Sequence, residues 1–189
     1  MKIIVIVDMQ KDFISKALKN DEAEAMIPRM QEVLTDMNSS DNIVLFTKDT
    51  HYDDYMNTQE GRNLPVPHCI KDTDGWKIDK RISSIVDTGN YRKISSHNII
   101  NSRILKNTFG SLEVAETIKS LTIAYPIDEV IFMGVCTDIC VVSNVMLTKA
   151  VCPEFPVTVY ADCCAGVTPA AHKAALETMK SCQVNIVGE

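Results

Sequence analysis

The chain alternates short apolar runs with longer helical patterns, and this alternation restricts its fold more than any other feature. Apolar runs typical of strands occupy residues 2–8, 42–48, 92–96, 130–133, 157–160 and 184–187. Segments with helical spacing or helix-start signals occupy residues 22–37, 111–121, 138–150 and 169–181. Strands that alternate with helices imply right-handed crossovers and a mostly parallel sheet covered on both faces. We therefore expect one α/β domain over residues 1–189.

Composition narrows the class of protein. Hydrophobic residues make up 46% of the chain and charged residues 23%, which is ordinary for a globular domain. The net charge of −6, without a Lys/Arg cluster, argues against nucleic acid as a partner. No apolar stretch approaches the roughly 20 residues of a membrane span. Seven cysteines without tandem Cys-x-x-Cys pairs argue against a disulfide framework and favour a reduced, cytoplasmic protein.

Cys136 stands at a turn between an apolar strand and a helical segment. That position puts its sulfur near the positive end of the helix, which favours the nucleophilic thiolate. Asp8 ends the first strand, and residues at the ends of parallel strands gather at one edge of the sheet. Asp8 could then act as base and acid, and Lys106 could offset the two negative charges. The alternatives are an unreactive core thiol at Cys136 and a solvated lysine at 106.

A second group of candidate residues consists of Asp49, His51 and His68. Asp49 and His51 are two positions apart after the second strand, so both can face one ion, and His68 can reach it from the following loop. Imidazole and carboxylate ligands suit zinc, iron or manganese. The alternative is that both histidines are solvated loop residues. The remaining histidines, His97 and His172, are given no role.

Three segments in this order resemble the isochorismatase-like cysteine hydrolases, and among them most nearly the nicotinamidase/pyrazinamidase branch. The segments are residues 8–13 (DMQKDF), Lys106 and residues 134–140 (GVCTDIC), with residues 160–162 (YAD) as further support. The likeness covers nearly the whole chain. It implies a three-layer α/β/α fold around a six-stranded parallel sheet, in a dimer, tetramer or other homo-oligomer.

The resemblance also implies roles for individual residues. Asp8 would be the proton shuttle, Lys106 the partner of the thiolate and Cys136 the nucleophile. The backbone N–H groups at Val135 and Cys136, joined by a cis peptide, would form an oxyanion hole. Within the branch, Asp49, His51 and His68 match the ligands of a divalent metal that anchors the substrate, with zinc as the leading candidate and iron or manganese as alternatives. Phe13 matches an aromatic of the pocket.

The substrate clamp departs from that branch. Asn57 replaces a frequent histidine, so Asn57 or water would complete the metal shell. Pro65 stands where a tryptophan is common, and the loop after Lys106 is short, without the aromatic that often sandwiches the nicotinamide ring. The leading hypothesis is hydrolysis of nicotinamide to nicotinate and ammonia through a thioester. Another small amide, ureide or N-carbamoyl compound is the second, and a non-enzymatic binding module the third.

Overall fold

Six strands form one sheet at the centre of the molecule. The computed structural model describes residues 1–94 and 102–189. The strands are β1 (Lys2–Val7), β2 (Asn42–Asp49), β3 (Arg103–Lys106), β4 (Glu129–Val135), β5 (Val157–Ala165) and β6 (Asn185–Val187). Their order across the sheet is β3-β2-β1-β4-β5-β6, and every neighbouring pair is parallel. The expected six-stranded parallel sheet is confirmed.

The central strands β1 and β4 are apolar after their first residue because helices flank the sheet. In β1, residues 3–7 are all fully buried, and in β4 residues 130–133 are too. A continuous run of Val, Ile, Phe and Met is typical of strands that are covered on both faces. These runs were therefore easy to recognise in the sequence.

Eight α-helices occur in the described residues, and several begin at the signals in the sequence. They are α1 (Lys11–Ile14), α2 (Asp21–Ala25), α3 (Ile27–Asp36), α4 (Gln59–Asn63), α5 (Lys80–Thr88), α6 (Leu112–Ala124), α7 (Val142–Val151) and α8 (Pro169–Ser181). Ser111 caps α6 by accepting a hydrogen bond from the N–H of Val114. Thr168 caps α8 in the same way, and Pro169 opens its first turn. None of the helices in residues 1–94 and 102–189 is long and apolar enough to cross a membrane.

Two predicted helices differ from the structure, and one helix was not predicted. The single helix expected at 22–37 is two helices, α2 and α3, because Pro28 in the first turn of α3 has no N–H to continue the preceding helix. The helix expected from 138 starts as a π-helical turn, Thr137–Val141, which leads into α7. The segment 80–88, which the sequence analysis did not assign, is the helix α5.

The third strand also lies elsewhere than predicted. Of the segment 92–96, Arg92 forms an isolated parallel bridge with Ile43, while residues 95–101, including His97, lie outside the described residues. The edge strand is β3, which has only four residues and alternates buried with less buried positions. So short a strand leaves little periodic signal in a sequence.

Candidate active site

Four adjacent strands carry polar residues to the same edge of the sheet. Asp8 directly follows β1, Asp49 ends β2, Lys106 ends β3, and Cys136 directly follows β4. The chain first adds strands on one side of β1 and then, with β4, on the other. The crevice at such a reversal of strand order, outside the carboxyl ends of the strands, is where open α/β sheets bind ligands. The topology therefore assembles a site from residues that are far apart in sequence.

Asp8 and Lys106 form a buried ion pair. The Lys106 Nζ lies 2.6 Å from Asp8 Oδ2, and the two side chains are 1% and 0% exposed. The Thr47 hydroxyl donates a hydrogen bond of 2.6 Å to Asp8 Oδ1 and accepts one of 3.1 Å from the Asp8 N–H. Lys106 also lies 3.4 Å from Asp49 Oδ1. The lysine is therefore not solvated, and it links Asp8 to Asp49.

Burial changes the acidity of both members of the pair. Burial raises the pKa of Asp8, and Asp49 adds to this, while Lys106 opposes it without cancelling it. Burial lowers the pKa of Lys106, but Asp8, Cys140 and Asp49 outweigh burial and hold that pKa well above its usual value. Lys106 thus stays charged at neutral pH. Asp8 becomes a more basic carboxylate than one in water.

The cysteine that contacts this ion pair is Cys140. Its Sγ lies 3.5 Å from the Lys106 Nζ, and Asp8 is close enough to raise the pKa of its thiol. Cys136 is half-buried, lines the same cavity and is electrostatically coupled to Asp8 and Lys106. The sequence analysis named Cys136 as the nucleophile, but the contacts favour Cys140. The α-helix α7 does not begin immediately beyond Cys136. The π-helical turn Thr137–Val141 lies between them, and Cys140 on that turn contacts the ion pair.

Neither thiol has the low pKa that a helix start was expected to confer. Burial, followed by Asp138 and Asp8, raises the pKa of Cys136 to about 12. Burial and Asp8 raise the pKa of Cys140 well above its usual value, against the opposing effect of Lys106. Burial therefore opposes the thiolate form that a position near a helix start was expected to favour. A thiol here needs a base at the moment of reaction.

The three predicted metal ligands lie together and are joined by Glu60. One ligand atom from each of Asp49, His51, Glu60 and His68 lies within 4.8 Å of each of the others. His51 Nε2 is 2.9 Å from Asp49 Oδ2, and the His68 Nε2 is 3.6 Å from both carboxylates. Four ligands about 2.0–2.1 Å from a tetrahedral ion would be roughly 3.4 Å apart. The group therefore fits a zinc-sized ion.

The ligand atoms are also oriented by their surroundings. His68 Nδ1 lies 2.8 Å from the carbonyl oxygen of Val66, which leaves Nε2 to face the cluster. Asp49 is held through its backbone, because Gln10 accepts from its N–H and donates to its C=O. Burial raises the pKa of Asp49, but His51, His68 and Lys106 reverse this and hold it below its usual value. Asp49 is thus an anionic ligand near neutral pH.

Glu60 takes the position that the sequence analysis gave to Asn57 or water. Asn57 is exposed and ends a 3₁₀ turn, Tyr55–Asn57, whereas Glu60 lies in the first turn of α4 and is half-buried. Thr58 caps α4 by accepting from the N–H of Gly61. A Thr followed by polar residues in the long segment 49–75 was a helix-start signal that could have revealed Glu60.

One large cavity joins the cysteines to the candidate metal ligands. Its volume is about 1150 Å³, and Phe13, Cys136, Cys140, Asp49, Glu60 and both histidines of the cluster line it. The ring of Phe13 meets His68 edge-on, with 5.5 Å between ring centroids. Phe109, in the loop after Lys106, also lines the cavity and is 49% exposed. The expectation that this loop lacks an aromatic for the pocket is therefore wrong.

Two further features surround the π-helical turn. The peptide between Val135 and Cys136 is cis, as the family resemblance implies. His172, to which the sequence analysis gave no role, lies on α8 with its Nδ1 2.8 Å from the hydroxyl of the buried Thr137. This contact ties α8 to the turn that carries Cys140.

Comparison with known proteins agrees with this architecture. The sequence model that describes the isochorismatase domain matches residues 2–188. No curated protein matches the sequence significantly.

Solved structures with the same fold match over nearly the full chain. The pyrazinamidase of Pyrococcus horikoshii, determined in complex with zinc, is 22% identical, with a TM-score of 0.73 and coverage of 100% of this chain and 99% of that one. A pyrazinamidase/nicotinamidase from Streptococcus mutans has 19% identity, a TM-score of 0.79 and coverage of 99% and 100%. The N-carbamoylsarcosine amidase from Thermoplasma acidophilum has 20% identity, a TM-score of 0.69 and coverage of 98% and 94%. At these identities the matches establish the fold.

Proposed function

Because this chain belongs to the isochorismatase family, we propose that it is a metal-assisted cysteine hydrolase that cleaves the C–N bond of a small amide, with nicotinamide as the leading substrate. The observation that carries the proposal is the contact of one thiol with a buried carboxylate–ammonium pair. Cys140 Sγ lies 3.5 Å from Lys106 Nζ, which lies 2.6 Å from Asp8. A four-residue ligand cluster opens into the same cavity. A nucleophile, a base and a site that orients substrate are thus together.

The first half of the reaction forms a thioester. Asp8 takes the proton of the Cys140 thiol, and the sulfur electron pair forms an S–C bond with the carboxamide carbon. The carbonyl electrons move to oxygen, where backbone N–H groups around Val135 and Cys136 would hold the oxyanion. The oxyanion then collapses, the C–N bond breaks, and the proton on Asp8 passes to nitrogen to release ammonia.

The second half regenerates the thiol. Asp8 takes a proton from water, whose oxygen attacks the thioester carbon, and the C–S bond then breaks. The proton returns to sulfur, and the carboxylic acid product ionises in solvent. Lys106 stays charged throughout and offsets the negative charge that passes between Asp8 and Cys140. The raised pKa of Asp8 suits a group that must both accept and donate a proton.

The candidate metal site would hold the substrate in place. Asp49, His51, Glu60 and His68 would hold a divalent ion, zinc or alternatively iron or manganese, which would supply a Lewis acid for binding the substrate. Phe13 and Phe109 offer aromatic faces for a ring in the same cavity.

Two cysteine variants test which sulfur is the nucleophile. We expect Cys140→Ala to abolish ammonia release from nicotinamide, because no other thiol contacts Lys106 among the described residues. Cys136→Ala is the matched control, since it removes a sulfur from the same cavity, and we expect it to keep most of its kcat. The opposite result would assign the nucleophile to Cys136, as the sequence alone suggested. Full activity in both variants would refute the thioester mechanism.

The size of the cavity favours a second class of substrate. About 1150 Å³ exceeds the range of roughly 300–1,000 Å³ that is common for drug-sized ligands, so a single-ring amide leaves room unfilled. The second candidate is therefore a larger amide, a ureide or an N-carbamoyl compound. Ammonia release from each class, compared at equal enzyme and metal, distinguishes these substrates. The cytoplasmic location and the homo-oligomer stay predictions, and light scattering on the purified protein tests the latter.

A further inference from the structure

A second, smaller pocket is lined almost entirely by cations, and we name it the basic pocket. Its volume is about 240 Å³, and it is lined by Lys11, Lys48, Lys77, Ile78, Lys80, Ser83 and Arg103. It shares no lining residue with the large cavity of the candidate active site, the reaction cavity. No Asp or Glu is among the described residues that line it. Such a concentration of positive charge is unexpected in a chain whose net charge is −6.

Lys48 is the buried member of the basic pocket. The residue is 7% exposed, and its Nζ lies over the Trp76 ring, 2.8 Å from the centroid. Within residues 1–94 and 102–189, no hydrogen-bond acceptor or carboxylate contacts this ammonium group. Buried charges are normally paired, so the pocket holds a cation that lacks a counter-ion.

The neighbouring carboxylates are shared among several cations. Asp74 forms ion pairs with Lys11, Lys16 and Lys77, at 2.9–3.3 Å. Arg103 pairs with Asp87, at 2.9 Å. Five cations line the pocket, and two carboxylates within residues 1–94 and 102–189 form ion pairs with them, so positive charge remains in excess after these ion pairs are formed.

Strand geometry separates the basic pocket from the reaction cavity. Lys48 and Asp49 are consecutive in β2, and consecutive side chains of a strand point to opposite faces of the sheet. Asp49 lines the reaction cavity, and Lys48 lines the basic pocket. An anion in the basic pocket would therefore not be a ligand of the candidate metal.

We propose that the basic pocket binds a phosphate group, either free phosphate or that of a small phosphomonoester. Lysines bind phosphate as point charges, and an arginine adds paired donors. The hydroxyl of Ser83 in the pocket wall can donate a further hydrogen bond. An anion beside Lys48 would supply the counter-ion that the fold does not.

The test is calorimetric titration of the metal-loaded protein with inorganic phosphate, and separately with glycerol 3-phosphate, at constant ionic strength. Three variants each lose one positive charge. Lys48→Met keeps the apolar stem over Trp76, Lys80→Met changes an exposed residue of the pocket rim, and Lys119→Met changes an exposed lysine on α6 as a matched control. Circular dichroism checks that each variant is folded.

We expect saturable binding that weakens at least tenfold in Lys48→Met and several-fold in Lys80→Met, and that is unchanged in Lys119→Met. Tighter binding of glycerol 3-phosphate would identify an organophosphate as the ligand, and equal binding would identify phosphate itself. No saturable binding would overturn the proposal. So would binding that survives both pocket variants, which would place phosphate elsewhere, for example on the metal. Equal weakening in Lys119→Met would show only a general effect of charge.

Discussion

Replacing Lys106 with Met tests whether the buried charges of the site depend on one another. The ammonium lies 2.6 Å from Asp8, 3.4 Å from Asp49 and 3.5 Å from Cys140. The variant keeps the apolar stem but leaves a fully buried carboxylate at Asp8 without its partner. Removing one member of a buried ion pair typically costs about 3–5 kcal/mol. Since domains are stable by about 5–15 kcal/mol, we expect a large fraction of the free energy of unfolding to be lost.

The double variant isolates the interaction of Asp8 with Lys106. Asp8→Asn removes the unpaired charge and keeps a side-chain oxygen for the Thr47 hydroxyl. We expect Asp8→Asn/Lys106→Met to be more stable than Lys106→Met alone, with a coupling energy of about 2–3 kcal/mol between the two sites. Urea unfolding followed by circular dichroism, with the same metal content in every sample, measures these differences.

The pH dependence of Lys106→Met has a definite sign. Without the lysine, burial and Asp49 still raise the pKa of Asp8, so its folded pKa lies above its unfolded pKa. Such a group contributes its full stabilisation of the folded state below its unfolded pKa. That stabilisation is lost as the pH rises through the folded pKa. The variant should therefore lose less stability near pH 5 than near pH 8. A loss under about 1 kcal/mol at pH 8, or a double variant no more stable than Lys106→Met, would refute the argument.

Four further variants test other parts of the structure. Glu60→Gln and His51→Ala should each reduce the amount of zinc bound to the protein at least tenfold, because each removes a ligand. An unchanged zinc content by elemental analysis would contradict the ligand set. Gly134→Ala should lower the free energy of unfolding by more than about 2 kcal/mol, since its φ is +129° and an added Cβ would meet the Val7 carbonyl at 2.1 Å. A wild-type midpoint of thermal unfolding would argue against this contact. Phe109→Ala should raise KM for nicotinamide several-fold with little change in kcat, and an unchanged KM would mean that the exposed ring does not meet the substrate.

Much of the fold could be predicted because its signals are local. The continuous apolar runs of β1 and β4 reflect burial on both faces, and Ser111 and Thr168 mark helix starts through hydrogen bonds within one turn. Asp8, at the end of β1, follows from the same logic, because parallel strands end at a common edge.

Other features depend on contacts between distant segments and were missed. The edge strand β3 is held by pairing with β2, which a four-residue sequence does not reveal. Glu60 joins the ligand cluster only because the fold places its carboxylate 3.6 Å from both His51 and His68. Lys48 ends the predicted strand 42–48, and its burial against Trp76 depends on a segment 28 positions away.

The two cysteines show most clearly which features the sequence determines and which the tertiary structure determines. The sequence by itself determined that a cysteine-bearing segment follows a buried strand and that Asp8 and Lys106 were candidates to meet it. Only the tertiary structure decided that Cys140, on the π-helical turn, contacts Lys106, while Cys136 stays at the strand end. Residue types and strand ends are fixed along the chain. The distance between two side chains depends on how the turn after the strand winds and on what packs against it.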